Sequence, residues 1–77
     1  MEISVLFFGE LAEVARANKI AVQNIEDTIS LTEWMIEKYP ALKNRTYRMA
    51  VNKEVISGNR NLNNGDEIAL LPPYAGG

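Results

Sequence analysis

The 77-residue sequence contains no cysteine and no histidine. A chain of this length buries only about 60–65% of the surface that its unfolded form exposes, so its stability is marginal. Disulfides and structural metals are the usual reinforcements of such small domains, and these two absences remove both. An apolar core must therefore stabilise the fold, and 47% hydrophobic residues are enough to form one.

The same absences restrict chemistry. Histidine is the most frequent general acid or base at neutral pH, and cysteine is a frequent nucleophile. The acidic residues are scattered, with neither the clustered spacing of a cation site nor a pair in apolar surroundings. The sequence therefore argues against a metal site and against catalysis by this chain alone.

Long apolar runs and excess positive charge are missing as well. No segment approaches the ~20 apolar residues that span a bilayer. Glu2 stands where a signal peptide would carry a basic residue, so we expect a cytoplasmic protein. The net charge of −2 disfavours binding to nucleic acid and to anionic membranes.

Apolar periodicity and turn residues predict the order of elements. Strands are predicted for residues 3–8, 20–23, 47–51, 55–56 and 67–71, a short helix for 10–17, and a main helix before Pro40. One helix on one face of a sheet is the economical two-layer arrangement. We predict an α+β, β-grasp (ubiquitin-like) fold: a mixed sheet, one main helix packed on one face, and a short extra helix. Residues 1–73 would form this domain and residues 74–77 a flexible C-terminal tail.

The start of the main helix is predicted from two local signals. Ser30 and Glu33 have the spacing of a capping box, in which the Ser30 hydroxyl accepts from the backbone N–H of Glu33. Ile29 and Trp34 have the spacing of a hydrophobic staple, which favours a structural role for Trp34 over ligand stacking.

Strand alternation places two apolar side chains away from the helix. If Ile3, Val5 and Phe7 face the core, Phe8 faces the other side of the sheet. In the last strand Ile68 and Leu70 face the core, and Leu71 faces away. Exposed apolar groups that share a sheet face mark a binding site. The alternatives are that a loop covers them or that they are isolated exposed residues.

The last residues have an unusual composition. Glycine offers no side chain to a core, and Pro72-Pro73 cannot continue a strand pairing. We therefore expect a projecting tail whose last two residues, Gly76 and Gly77, can thread a narrow channel. A frayed terminus is the alternative, because chain ends are commonly disordered.

Short segments along the whole chain resemble the small subunits of molybdopterin synthase, a family of ubiquitin-like sulfur carriers. In the family's order they are Val5-Leu6-Phe7-Phe8, Glu37-Lys38-Tyr39-Pro40, Ala50-Val51-Asn52, Leu62 with Gly65-Asp66-Glu67-Ile68, Leu71-Pro72-Pro73 and Gly76-Gly77. The chain departs from the family at Leu70-Leu71, where many members have aromatic residues.

The resemblance implies a role for the C-terminal carboxylate. An E1-like activating enzyme would adenylate Gly77 with ATP, and a sulfur donor would convert the adenylate to a thiocarboxylate. In the large catalytic subunit this sulfur would form the dithiolene of molybdopterin. The chain would then be a non-catalytic, sulfur-donating subunit that binds no cofactor tightly and carries sulfur covalently. The implied complex is a heterotetramer with two copies of each subunit.

The resemblance also implies roles for six other residues. Gly76 would permit entry into the partners' active sites, and Pro72 and Pro73 would aim the tail. The residues that match partner-contacting positions are Phe8, Val55 and Leu71.

Other functions remain consistent with these residues. One is a sulfur carrier for thiamine or another thiolated product, and another is a ubiquitin-like modifier joined through Gly77 to lysines of target proteins. A third is an interaction domain whose Gly-Gly has no chemistry. Pro72-Pro73 and the helix-rich first half favour the molybdopterin function. Arg45 and Arg48 lie close in sequence, and we expect a solvated surface there rather than an anion site.

Overall fold

A five-stranded mixed sheet forms one layer of the structure, a computed structural model that describes residues 1–73. The strands are β1 (Glu2–Phe7), β2 (Lys19–Gln23), β3 (Arg48–Val51), β4 (Glu54–Val55) and β5 (Glu67–Leu71). Their order is β2-β1-β5-β3-β4, with β1 and β5 parallel and the other neighbours antiparallel. The first and last strands thus lie side by side in the sheet, and the predicted β-grasp fold is confirmed.

The second layer consists of helices on one face of this sheet. They are α1 (Glu10–Ala15), α2 (Thr28–Lys38) and a 3₁₀ helix (Pro40–Asn44). Pro40 ends the main helix as predicted, but it also begins the 3₁₀ helix, which occupies part of the polar connection predicted at 43–46. Buried Leu42 explains the difference, because the short helix turns this side chain into the core.

Strand alternation builds the core as the sequence predicts. Ile3, Val5 and Phe7 of β1 are buried, and so are Ile68 and Leu70 of β5. They form one cluster with the buried side chains of the helical layer, which are Leu11, Ala15, Leu31, Met35 and Leu42. The helical layer therefore covers one sheet face and leaves the other face available.

The start of α2 differs from the prediction. Asp27, not Ser30, is the N-cap: it has an extended backbone, and its carboxylate accepts from the N–H of Ser30 at 2.8 Å. Ile29 and Trp34 are therefore both inside the helix, and the predicted capping box and staple do not form. Starting the helix at Thr28 buries that residue to 4% exposure and places Leu31 in the core.

Hydrogen bonds from the loop between β4 and β5 explain this earlier start of the helix. The side-chain oxygen of Asn59 accepts from the N–H of Ile29 at 2.9 Å and from the hydroxyl of Thr28 at 3.1 Å. The N–H of Thr28 donates to the carbonyl of Arg60, whose own N–H donates to the Thr28 hydroxyl. The first turn of α2 is thus hydrogen-bonded by residues about 30 positions away.

Turn chemistry sets the remaining boundaries. Arg16 adopts φ 57° and ends α1 at Ala15, two residues earlier than predicted. Asn52 and Lys53 both have positive φ, as a two-residue type I′ hairpin requires, so the predicted turn is confirmed. Its return strand is Glu54–Val55, one residue earlier than predicted.

Within residues 1–73, no helix has the length and apolar character needed to cross a bilayer.

Candidate functional site: the outer sheet face and the tail root

The sheet face opposite α2, here called the outer face, carries an apolar row across four strands. Leu6 is paired with Ala69, Ala69 with Ala50, and Ala50 with Val55. Directly paired residues of neighbouring strands project to the same side, so these four side chains share one face. Ala50 is 4% exposed yet lies outside the core cluster, as expected for a small residue beneath larger neighbours on this side.

A second row crosses the outer face where β5 ends. Phe8 follows inward-facing Phe7, is 46% exposed, and donates its N–H to the carbonyl of Leu70 at 3.2 Å. The β1–β5 register ends at the pair Phe7 and Leu70, and Phe8 and half-buried Leu71 are the residues that directly follow this pair. Leu71 is in turn paired with Arg48 of β3.

The structure therefore places the three residues predicted to contact a partner on one face, but it does not bring all of them together. Phe8 and Leu71 lie close to each other where β1 and β5 end, whereas Val55, 51% exposed, lies at the far edge of the sheet. Sequence reasoning did not assign a site role to Leu6 or Ala69. Their alternation with core residues was visible, but the β1–β5 register that aligns them was not.

The tail root, defined here as Leu71 and Pro72, leaves β5 between the ends of β1 and β3. Pro72 is buried and Pro73 is exposed. Pro72 lies directly against Gly9: a Cβ on Gly9 would be 2.9 Å from the Pro72 Cγ. Gly76 and Gly77, the residues predicted to enter a partner's active site, lie outside the described residues.

Of the two arginines that are close in sequence, only Arg48 is paired with a residue of the tail root, Leu71. Arg45, which precedes β3, forms an ion pair at 3.2 Å with Glu10, which follows β1. This pair joins the end of the 3₁₀ helix to the start of α1 in the helical layer. Arg48 has no carboxylate within ion-pair distance among residues 1–73. Because Glu10 neutralises Arg45, the geometry gives no support to an anion site made by both arginines.

The perturbed titratable groups lie elsewhere and have structural causes. Hydrogen bonds from Ser30 and Asn59 hold the pKa of the Asp27 carboxyl below its ordinary value. The backbone N–H of Asn63, followed by the Asn52 side chain, does the same for the pKa of Asp66. These carboxylates fix a helix start and a turn, so they are not candidates for acid–base chemistry.

Side chains that could bind a metal ion do not cluster in residues 1–73. No group of three or more acidic, histidine or cysteine side chains could hold a metal ion in this part of the chain. An open groove of about 330 Å³ is lined by Trp34, Glu37 and Lys38 on α2. The Lys38 ammonium lies 5.4 Å from the Trp34 ring centroid, so it covers the ring face that a stacked ligand would use. The outer face with the tail root is the stronger candidate site.

Comparison with known proteins identifies the family. The model described as the ThiS family matches residues 5–77. The molybdopterin synthase sulfur carrier subunit of Mycobacterium tuberculosis is 34% identical over 82 residues, covering 100% of this chain and 99% of that protein. The subunit of the same name from Chlamydomonas reinhardtii is 34% identical over 83 residues, covering 100% of both.

Solved structures share the fold. The putative molybdopterin converting factor subunit 1 of Pyrococcus furiosus has a TM-score of 0.88 at 19% identity, covering 95% of this chain and 98% of that one. Small archaeal modifier protein 1 of Methanosarcina acetivorans has 0.83 at 26% identity, covering 99% and 96%. A chain in the complex of subunits 1 and 2 of molybdopterin-converting factor from Helicobacter pylori has 0.76 at 29% identity, covering 100% of both. The protein is a member of the ThiS family with the β-grasp fold.

Proposed function

We propose that this chain is the sulfur carrier subunit of a molybdopterin synthase. The observation that carries the proposal is the near-complete alignment, at 34% identity, with proteins of that name. The family match runs through residue 77, so it includes the two glycines to which the chemistry is assigned. The outer face supports the proposal, because it offers an apolar surface next to the point where the tail leaves the domain.

The proposed reaction takes place on the carboxylate of Gly77. A carboxylate oxygen attacks the α-phosphate of ATP in an E1-like activating enzyme, and pyrophosphate leaves. A sulfide sulfur then attacks the carbonyl carbon of the acyl-adenylate, and AMP leaves, which gives a thiocarboxylate on Gly77. This sulfur attacks a carbon of the pterin precursor and displaces an oxygen substituent from it. Water then cleaves the resulting thioester, which leaves the sulfur on the pterin and restores the carboxylate of Gly77.

The domain supplies position rather than reacting groups. Leu71 lies on the outer face and leads directly into Pro72, so this face borders the point where the tail leaves the domain. We assign Phe8, Val55 and Leu71 to contacts with the large subunit, and Pro72 and Pro73 to aiming the tail. The two-subunit Helicobacter pylori complex, which contains a chain 29% identical to this one, supports a large-subunit partner. A heterotetramer with two copies of each subunit is the assembly that we propose.

The decisive measurement is the intact mass of the chain after incubation with its activating enzyme, ATP and a sulfide source. We expect a species heavier by the difference between one sulfur and one oxygen atom, located by fragmentation at Gly77. Incubation without ATP should leave the mass unchanged. Absence of the heavier species in the complete mixture would contradict the proposal.

A deletion of Gly77 provides the matched test of position. It should abolish formation of the heavier species and transfer of sulfur to the pterin precursor. The thermal unfolding midpoint should stay nearly unchanged, because the packed core lies within residues 1–73. A large loss of stability would mean that Gly77 has a structural role instead.

A ubiquitin-like modifier is the second candidate, since small archaeal modifier protein 1 is 26% identical with a TM-score of 0.83. Both functions begin with the same adenylate, so the mass of the free chain does not separate them. Conjugates in which Gly77 is linked to lysine side chains, recovered from the native host, would favour the modifier. Restoration of molybdopterin synthesis by the purified chain with a large subunit would favour the sulfur carrier.

A further inference from the structure

We propose that Gly9 is a positioning residue for the C-terminal tail. Because Gly9 has no side chain, the Pro72 ring packs directly against its backbone. This contact between Gly9 and Pro72, here called the seat, fixes the point and direction from which the tail leaves the domain. The inference rests on the proposed function, because it assigns to Gly9 a part in delivering Gly77 to the activating enzyme and to the large subunit.

The contact between Gly9 and Pro72 leaves no room for a side chain. Gly9 has φ 58° and ψ −136°, a combination that L-residues rarely adopt. A Cβ at this position would be 2.9 Å from Cγ of Pro72, closer than Cβ atoms approach other heavy atoms, and 3.8 Å from its Cδ. The buried proline ring therefore packs on bare backbone, and a methyl group on Gly9 has to displace it.

Phe8 and Gly9, two consecutive residues, each contact the chain where β5 ends. Phe8 donates its N–H to the carbonyl of Leu70. Gly9 packs against Pro72, the residue that follows β5. Because Phe8 is also on the outer face, this segment connects the outer face directly to the tail root.

This link matters because the remaining tail is short. Five residues follow Pro72 in the sequence, and fully extended they span at most roughly 17 Å. A docked domain therefore sets where the Gly77 carboxylate can reach. Misplacement of a reacting group by about 1 Å can reduce a rate about 100-fold. Displacing Pro72 should thus slow adenylation of Gly77 while leaving the outer face intact.

The test compares Gly9→Ala with the unaltered full-length chain in ATP–pyrophosphate exchange catalysed by the activating enzyme. We expect kcat to fall about tenfold or more, since the carboxylate is misplaced. We expect KM for the chain to change less than about twofold, because the outer face still provides the binding energy. Equal kcat for the two chains would overturn the inference, and so would a loss confined to KM.

Gly58→Ala is the matched control for backbone strain. Gly58 also has positive φ, at 76°, but no heavy atom lies within 4 Å of a Cβ placed there. It should lower the unfolding midpoint and leave kcat unchanged. A similar fall in kcat for both variants would mean that general destabilisation, and not the seat, causes the effect.

Pro72→Ala tests the seat without straining Gly9. It removes the Cγ atom that a Gly9 methyl would strike, so the double variant Gly9→Ala/Pro72→Ala should react faster than the product of the two single effects predicts. Strictly multiplicative effects would overturn the inference. If the unaltered chain shows no ATP-dependent exchange at all, the proposed function fails instead, so the two failures are distinguishable.

Discussion

Removing exposed side chains from the outer face should weaken binding to the large subunit by a predictable amount. The variants are Phe8→Ala and Val55→Ala, which truncate the two most exposed apolar side chains of this face. Both side chains project from the side of the sheet that carries no helix. Neither contributes to the core cluster, so truncation should leave the domain folded.

The size of the effect follows from the surface that remains exposed. Full burial of an apolar side chain of this size contributes about 1.5–3 kcal/mol. Phe8 retains 46% of its exposure and Val55 retains 51%, so each can contribute about 1 kcal/mol or slightly more on docking. Each truncation should therefore raise Kd about fivefold to tenfold.

The two effects should add in the double variant. Phe8 and Val55 are separated by three strand spacings, or about 14 Å, which is beyond the distance over which substitutions usually couple. Phe8→Ala/Val55→Ala should lose about 2–2.8 kcal/mol, which raises Kd roughly 25- to 100-fold. A coupling of more than about 0.5 kcal/mol would mean that the partner contacts them as one unit.

Isothermal titration calorimetry with the purified large subunit measures these affinities, and circular dichroism confirms the fold of each variant. Ile29→Ala is the matched control, since Ile29 is 54% exposed but lies on α2, on the opposite side of the sheet. Its Kd should equal that of the unaltered chain. Equal weakening by Ile29→Ala, or normal binding by the double variant, would refute docking through the outer face.

Three further substitutions test the helix start and the charge beside the tail root. Asn59→Ala removes two accepted hydrogen bonds and one donated bond, and it should lower the free energy of unfolding by about 1–2 kcal/mol. The midpoint of thermal unfolding should fall by roughly 4–8 °C per kcal/mol, and Asn44→Ala, at an exposed position, is the neutral control. The depressed pKa of Asp27 means that its carboxylate contributes stability above about pH 4 that is lost on acidification; Asp27→Asn should flatten this acid limb in melts from about pH 6 to pH 2. Arg48→Glu should change the rate of association with the large subunit more at low salt than at high salt, whereas Lys38→Glu, the same charge change on α2, should have a smaller effect.

Most of the fold could be predicted because its signals are local. Alternation in β1 separates buried Ile3, Val5 and Phe7 from outward Phe8, and the structure agrees. Asn52-Lys53 specifies a tight hairpin through residues adjacent in sequence. In each case the pattern depends only on residues adjacent in sequence, so it predicts the local structure without knowledge of the tertiary contacts.

The helix start was mispredicted because a distant residue decides it. Asp27 and Ser30 can both cap a helix, and local spacing favoured Ser30 because Glu33 follows it. The structure selects Asp27, since Asn59 then bonds to the first turn and Thr28 becomes buried. Competition between two nearby caps is settled by tertiary contacts that a single sequence does not display.

The candidate site could be predicted only in part for the same reason. Alternation placed Phe8 and Leu71 on the outer face without further information. Val55 was assigned by resemblance, and only the β3–β4 register shows that it shares this face with Ala50. The contact between Gly9 and Pro72 joins residues far apart in sequence, and no local pattern indicates it.

The position of the tail root next to the outer face has a consequence for partner exchange. Under the proposed function the chain visits an activating enzyme and then the large subunit, and we expect both to contact the face from which the tail leaves. We therefore expect the two complexes to be mutually exclusive and each to dissociate within a reaction cycle. The apolar row consists of two alanines between Leu6 and Val55, so it buries less apolar surface than a row of large side chains would. A face of this composition suits transient complexes, whose affinity differences arise mainly in the dissociation rate.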